Sequence, residues 1–317
     1  MRLMRHSLHF LPDIKIFEVK PTLLFFAALF SFLQAAQSQI HVSHRAVPLT
    51  TEKSLSVQLD LGTLKLQLGS QQNSNAFEYE FHSTDTASLL AAYSIRDGVG
   101  YLSLQHNQVK DETRRRRIRL DWRSLFGGSD ENEEEKDLRE SVLKLFLPTG
   151  IPVQLDFSVG AGYNDLNMSG LKISDLNLVS GACATKLRFN EPNPVTMKKL
   201  RLSTGASKLV VEGLGNANFE EMDFSGGASN VVLDFSGSEF RSSKVNVSIG
   251  AGSLRILLPK EAGVKIKYAD NFFSSIALPD DFTQDGEWFY SGNFSKAKHV
   301  LELHVSSGVG SVRVRWK

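Results

Sequence analysis

One cysteine, Cys183, in 317 residues leaves no possibility of an intramolecular disulfide, so packing alone must hold the fold. Prolines number only nine against 24 glycines, a balance that suits an ordered chain of many turns. No stretch shows a convincing 3.6-residue apolar period, which excludes a helical bundle; the best exception, Thr86–Tyr93, reads as one or two helical turns. Neither sign of charge dominates: 36 Lys and Arg face 35 Asp and Glu for a net charge of +1, so nothing favours nucleic acid as a partner. The longest apolar run, Thr22–Leu33, falls short of a membrane span. With 41% hydrophobic residues the chain can still build a sizeable core.

What stands at the N-terminus is a targeting pattern. Arg2, Arg5, Lys15 and Lys20 precede the apolar run, and Ala36-Gln37-Ser38 fits the small-x-small rule, placing cleavage before Gln39. Residues 1–38 are therefore expected to be a signal peptide, with a retained anchor as the alternative. The exported chain would carry a net charge of −1 and no transmembrane helix, and would reside in the periplasm or at the cell surface. No cysteine lies at the cleavage region, so lipidation there is excluded.

The dominant internal feature is a repeat. Eight times, two apolar residues separated by one polar residue are followed three positions later by glycine. The clearest copies are LDFSVGAG, LNLVSGAC, LRLSTGAS, MDFSGGAS and VNVSIGAG, with key glycines Gly160, Gly181, Gly205, Gly227 and Gly250, and a sixth lies at Gly308. Weaker copies occur at VQLDLGTL (Val57–Leu64) and YSIRDGVG (Tyr93–Gly100). A period near 20–25 residues marks stacked units that each bury a face against the next. Glycine at the corner allows positive φ and close backbone approach, and the alanines that follow would stack from coil to coil. Cys183 holds the place of Gly162 and Gly252 in sister copies and is expected to be a small buried residue. The 58-residue gap between Gly250 and Gly308 implies one irregular coil, with Asn271–Asn293 as its place.

Two other segments break the pattern. Asp111–Arg117 (DETRRRR) and Gly127–Glu140 (GGSDENEEEKDLRE) form a charged excursion over 111–140, read as a long loop. The expected organisation is a signal peptide at 1–38, an N-terminal β-rich module at 39–150 and β-solenoid repeats at 151–317.

The repeated G-A-[GS] turns, and VNVSIGAGSLRILLPKEAGVKIK (Val245–Lys267) in particular, resemble the bacterial toast-rack domains found at the C-terminus of LiaF-like, cell-wall-active antibiotic response proteins. LGTLKLQLG (Leu61–Gly69) and SLLAAY (Ser88–Tyr93) are similar to the module that precedes that domain. The resemblance implies an all-β, right-handed parallel β-solenoid of toast-rack type, with an envelope-stress role and no catalytic residues to carry over. Several transmembrane helices typically precede the solenoid in LiaF-like sensors, whereas this chain begins with a signal-like segment, so a sensor role would need a membrane partner in trans.

Candidate chemistry is sparse. Ser169-Gly170-Leu171-Lys172 matches S-x-x-K, but it sits between strands and no K-T-G follows. Gly160-Ala161-Gly162 and Gly250-Ala251-Gly252 read as turns, since neither opens a helix or leads to G-K-[ST]. His41, His44, His299 and His304 lack a third metal ligand nearby, so neither metal nor cofactor is expected. Arg114, Arg115, Arg116 and Arg117 could bind an anionic envelope polymer or lipid headgroups, or pair with the acidic run after them. Phe272, Phe273, Trp288, Phe289 and Tyr290 read as a cap on a solenoid end, with a glycan platform as the alternative. The sequence thus points to a non-enzymatic exported envelope protein, a scaffold or sensor-like binding module whose partner is a membrane sensor or an envelope polymer. The alternatives are a surface adhesin-like protein and a polysaccharide-acting β-helix enzyme.

Overall fold

The computed structural model describes residues 41–83, 88–107, 141–238, 240–269 and 272–317. Ile40–Lys317 forms one compact unit, and the signal-like segment lies outside the described residues. Its frame is a set of seven long strands: β2 (Ser54–Gln71), β7 (Pro152–Asn167), β8 (Lys172–Arg188), β9 (Met197–Glu212), β10 (Phe219–Asp234), β11 (Ser243–Leu258) and β16 (Val300–Trp316). They lie side by side in that order, every neighbouring pair parallel.

Each long strand carries one repeat copy and bends at its glycine. In a strand, alternate side chains face opposite ways. In β10, Met222, Phe224 and Gly226 point inward before the bend, and Ser229, Val231 and Leu233 point inward after it. The phase slips by one residue across Gly227-Ala228, so both arms face the same core. Strand β16 does the same, from Leu301, Leu303 and Val305 to Val312 and Val314. The strand therefore does not stop at the glycine, as a turn reading would have it, but folds over it. In-register rows of Leu155, Leu176, Leu200, Met222, Val245 and Leu303 fill the core along the first arms. Leu166, Leu187, Val211, Leu233, Ile256 and Val314 do so along the second. Each fully buried aliphatic side chain contributes roughly 1.5–3 kcal/mol.

The outermost rungs are broken at the bend. Beside β2, the first arm is matched by β5 (Val99–Asn107) and the second by β6 (Val142–Pro148), both parallel to it. The charged excursion 111–140, with Arg114–Arg117, departs between them and lies outside the described residues. Beside β16, the first arm is matched by β12 (Gly263–Ala269) and the second by β13 (Ser274–Ala277). Strand β16 thus slots between β11 and β12, which accounts for the long gap before Gly308. Antiparallel strands finish both ends: β4 (Ser88–Arg96) on β5, β3 (Asn75–Ser83) and β1 (His41–Pro48) on β6, and β15 (Trp288–Ser291) and β14 (Phe282–Asp285) on β12.

Two sequence expectations are corrected here. The described part of Thr86–Tyr93, from Ser88 onward, is extended in β4 rather than helical, because pairing with β5 outweighs the local helix preference of Leu and Ala. YSIRDGVG is not a stacked copy: Asp97 (φ 52°) and Gly98 (φ 76°) make a two-residue hairpin turn joining β4 to β5. Hydrogen bonding also crosses position 150, since β2 pairs with β7 along both arms.

Loops close each coil opposite the bend, and asparagines stitch them. Buried Asn193 donates to the carbonyls of Ile173 (2.8 Å) and Ala217 (3.1 Å) and accepts from the Ile173 amide (3.0 Å). Asn218 donates to Asn193 and Val195, and Asn293 to Lys260 and Ala262. One amide side chain thereby satisfies backbone groups of neighbouring coils that would otherwise be buried unpaired.

Candidate functional site

The bend builds a ridge along the stack. A Cβ on Gly160, Gly181, Gly205, Gly227, Gly250 or Gly308 would meet the carbonyl oxygen of the preceding glycine in the row at 3.0, 2.3, 2.8, 2.9, 3.1 and 2.5 Å respectively. Close approach is what these positions require. The positive φ lies two residues later, at Gly162, Gly252 and Gly310 (127°, 128° and 135°). Along the ridge, Ala161 stands beside Ala182, and Ala206, Ala228, Ala251 and Val309 follow one another in register. The ridge ends in large apolar groups. Val309 is 55% exposed, Phe273 69% and Phe272 95%, with the two phenylalanine rings edge-to-face at 5.4 Å.

The outer face of the first arms is polar and self-neutralised. Lys199, Glu221, Lys244, Glu302 and Lys265 occupy one row across β9, β10, β11, β16 and β12, alternating in sign. Lys199 reaches Glu221 (3.4 Å) and Asp223 (2.7 Å), Arg201 reaches Asp175 (3.4 Å), and Lys265 reaches Glu302 (2.6 Å). Partial burial acts to raise the Asp223 carboxyl, but hydrogen bonds from Lys199 and Asn246 hold it below the ordinary range. Lys265 and His304 likewise hold Glu302 low. Ser203, Ser225, Ser248 and Ser306 form the next polar row. A shallow groove of about 380 Å³ runs over this face, lined by Asn177, Arg201, Asp223, Asn246, Lys267 and His304 among others.

The outer face of the second arms differs at its C-terminal end. Arg255 of β11 stands directly opposite Arg313 of β16, with Arg315 two residues on; all three are exposed. None makes an ion pair among the described residues. The nearby acids are engaged or stand apart: Asp234 holds Lys317, and Asp281 accepts from the Trp316 indole (2.8 Å). Asp280 and Asp281 share a shallow edge cleft with Arg313 and Arg315 without ion-pair contact.

The remaining sequence candidates have structural partners. Ser169 Oγ donates to Asn167 Oδ1 (2.7 Å) and accepts from the Asn190 amide (3.0 Å), while Lys172 Nζ donates to the Gly150 carbonyl (2.8 Å). The S-x-x-K pair is thus spent on holding the turn after β7. Cys183 is 3% exposed, lies in register with Gly162, and burial pushes its thiol up. His44 pairs with Glu78 (3.1 Å), His304 with Glu302 (2.7 Å), and His299 stacks edge-on to Phe240; no His, Cys, Asp and Glu group suited to a metal occurs among the described residues. The aromatic set divides. Trp288, Phe289 and Tyr290 lie on β15 at the end of the stack, with Trp288 under Lys265 (4.6 Å), whereas Phe272 and Phe273 project from the broken corner.

Two features escape the linear reading. Glu52, 6% exposed before β2, is desolvated, which acts to raise its carboxyl, but hydrogen bonds from Tyr93 and from the Thr50 amide and hydroxyl bring it down to about 2. The arginine patch was findable: aligning SLRILL (Ser253–Leu258) with SVRVRW (Ser311–Trp316) puts Arg255 and Arg313 at one repeat position.

Comparison with known proteins yields no match among curated proteins. Among solved structures, the chain is similar to a proposed cell adhesion protein from Clostridium sporogenes at 17% identity, covering 88% of this chain and 100% of that one, with a TM-score of 0.43. It is also similar to a proposed adhesin from Bacteroides fragilis at 11% identity, covering 87% and 97% of the two chains, with a TM-score of 0.32. A proposed adhesin from Parabacteroides merdae stands at 10% identity, 86% and 96% coverage, and a TM-score of 0.31. The model of the family described as the N-terminal domain of toast_rack, DUF2154, matches residues 34–197. With more than half its length matched, and with its glycine-bent strands stacked in register, the chain belongs to the toast-rack family.

Proposed function

We propose that this protein is an exported, non-enzymatic component of the cell envelope, a scaffold that presents extended β-faces to a partner. The observation that supports the reading is the regular outer face of the seven-strand stack, roughly 30 Å across at about 4.8 Å per strand. Its charges pair from strand to strand rather than converging on one point, as a general acid–base or nucleophilic site would need. Extended stacked faces of this kind suit long partners, and that step is an argument from architecture. Residues 1–38 serve in this reading as a cleaved leader, and residues 39–150 precede the regular repeats of 151–317. A sensor-like role in envelope stress would draw on a membrane protein supplied in trans, and an adhesin-like role on a partner outside the cell.

Fractionation of bacterial cells expressing the tagged full chain tests the proposal. The expected product is an envelope or extracellular species shortened by the leader. Full-size product confined to the cytoplasm overturns it.

A further inference from the structure

The C-terminal corner of the stack brings an exposed apolar feature next to a basic one. The first is apolar. Phe272 and Phe273 are 95% and 69% exposed on the corner between β12 and β13. The Gly310 amide donates to the Phe273 carbonyl at 3.1 Å, and Ser274 is in register with Gly310. That register sets Phe273 beside Val309, itself 55% exposed at the end of the ridge. Large aromatic groups left this bare mark a surface meant for contact.

The second is electrostatic. Arg255 and Arg313 face each other on adjacent strands, a like-charge juxtaposition that a bound anion would relieve. Arg313 also lies in register with Ala277 of β13, so the arginines sit on the arm that starts at the phenylalanine corner. From Phe273 to Ala277 the strand rises roughly 13 Å at about 3.3 Å per residue. Guanidinium groups pair well with phosphate oxygens. Lipid headgroups hold phosphate just above the acyl boundary, and an apolar tip of this size reaches into that boundary.

We propose that this corner is a membrane-surface docking site: Phe272, Phe273 and Val309 enter the headgroup–acyl boundary of an anionic bilayer while Arg255, Arg313 and Arg315 contact its phosphates. The site does not depend on whether the protein acts as sensor, scaffold or adhesin.

Vesicle binding tests it. The full chain is titrated with vesicles of phosphatidylcholine alone and with about one third phosphatidylglycerol, and with soluble inorganic polyphosphate. Phe273→Trp supplies a reporter at the tip; its added emission shifts to the blue and becomes shielded from iodide on anionic vesicles, a readout local to this corner. Phe272→Ser with Phe273→Ser lowers vesicle affinity about tenfold per ring. Replacing each of Arg255, Arg313 and Arg315 by Gln lowers it about fivefold, and the loss shrinks at high salt. All five substituted positions are solvent-facing, so melting temperatures should match the parent, and Leu90→Ser, at the far end of the stack, should bind as the parent does. A reporter that stays exposed to iodide on anionic vesicles overturns the proposal, as does parental binding by the serine double variant. Arginine-dependent binding of polyphosphate without vesicle binding also overturns it, in favour of a soluble polyanion.

Discussion

Replacing a glycine of the ridge by alanine tests the bent-strand account at its tightest point. At Gly181 the new Cβ would lie 2.3 Å from the Gly160 carbonyl oxygen, about 1 Å inside ordinary contact. The obstacle is backbone, so only the strands themselves can yield. Opening a ladder by about 1 Å carries an N–H···O bond from about 2.9 to about 3.9 Å, beyond hydrogen-bonding distance. Two such bonds at about 1 kcal/mol each, plus lost packing, come to about 2–4 kcal/mol. The stiffer unfolded chain returns about 0.4–1 kcal/mol, leaving a net cost of about 2–3 kcal/mol for Gly181→Ala. Gly252→Ala costs more, because the Cβ lies 2.0 Å from the Ser229 carbonyl oxygen and φ is 128°. At Gly250 the contact is 3.1 Å, and about 1 kcal/mol is expected. Nothing lies within 4 Å of a Cβ at Gly150, and its φ is not positive, so Gly150→Ala should be neutral or slightly stabilising. Urea unfolding of the four variants gives the order directly. Gly181→Ala as stable as Gly150→Ala would refute the reasoning.

Three further outcomes follow from the packing. Glu52 has a folded pKa of about 2, lowered from 4.5, so the folded state binds fewer protons there than the unfolded state does. Its contribution, about 2–3 kcal/mol, is present above pH 4.5 and lost as pH falls toward 2; Glu52→Gln should flatten that limb of stability measured against pH. Asn193→Ala removes three hydrogen bonds from buried backbone groups and should cost about 2–4 kcal/mol in urea unfolding, against less than about 0.5 kcal/mol for Lys198→Ala on the outer face. Burial at 3% exposure and a raised pKa should leave the Cys183 thiol inert to a disulfide reagent in the folded protein and reactive after unfolding; rapid native labelling would contradict that burial.

Much of this fold is legible in sequence because its physics is local and repeated. The glycine after each apolar pair marks the bend in every long strand, and an alanine follows it in five of the seven, with Thr63 in β2 and Val309 in β16. What the pattern conceals is the change of phase across the bend, which is visible only when both arms are seen to face one core. Order along the chain also differs from order in space: β16 enters between β11 and β12 through pairing that no local signal encodes. YSIRDGVG shows the opposite failure, since a hairpin turn and a bend can share the same apolar-polar-apolar and glycine spacing. The Phe272–Phe273 pair stood out by composition, but its exposure arises from the broken rung. Aligning the repeats puts Arg255 and Arg313 at one position, but that they are neighbours follows only once β16 is placed beside β11.

The central functional claim is that this protein works by binding within the cell envelope. Retention of the full chain on purified envelope fractions, separated into peptidoglycan, anionic polysaccharide, lipid and membrane proteins, tests it most directly at low and high salt. The account predicts retention on lipid that weakens with salt, with or without a membrane protein retained beside it. No retention on any fraction would contradict the envelope-binding claim and favour a partner outside the cell.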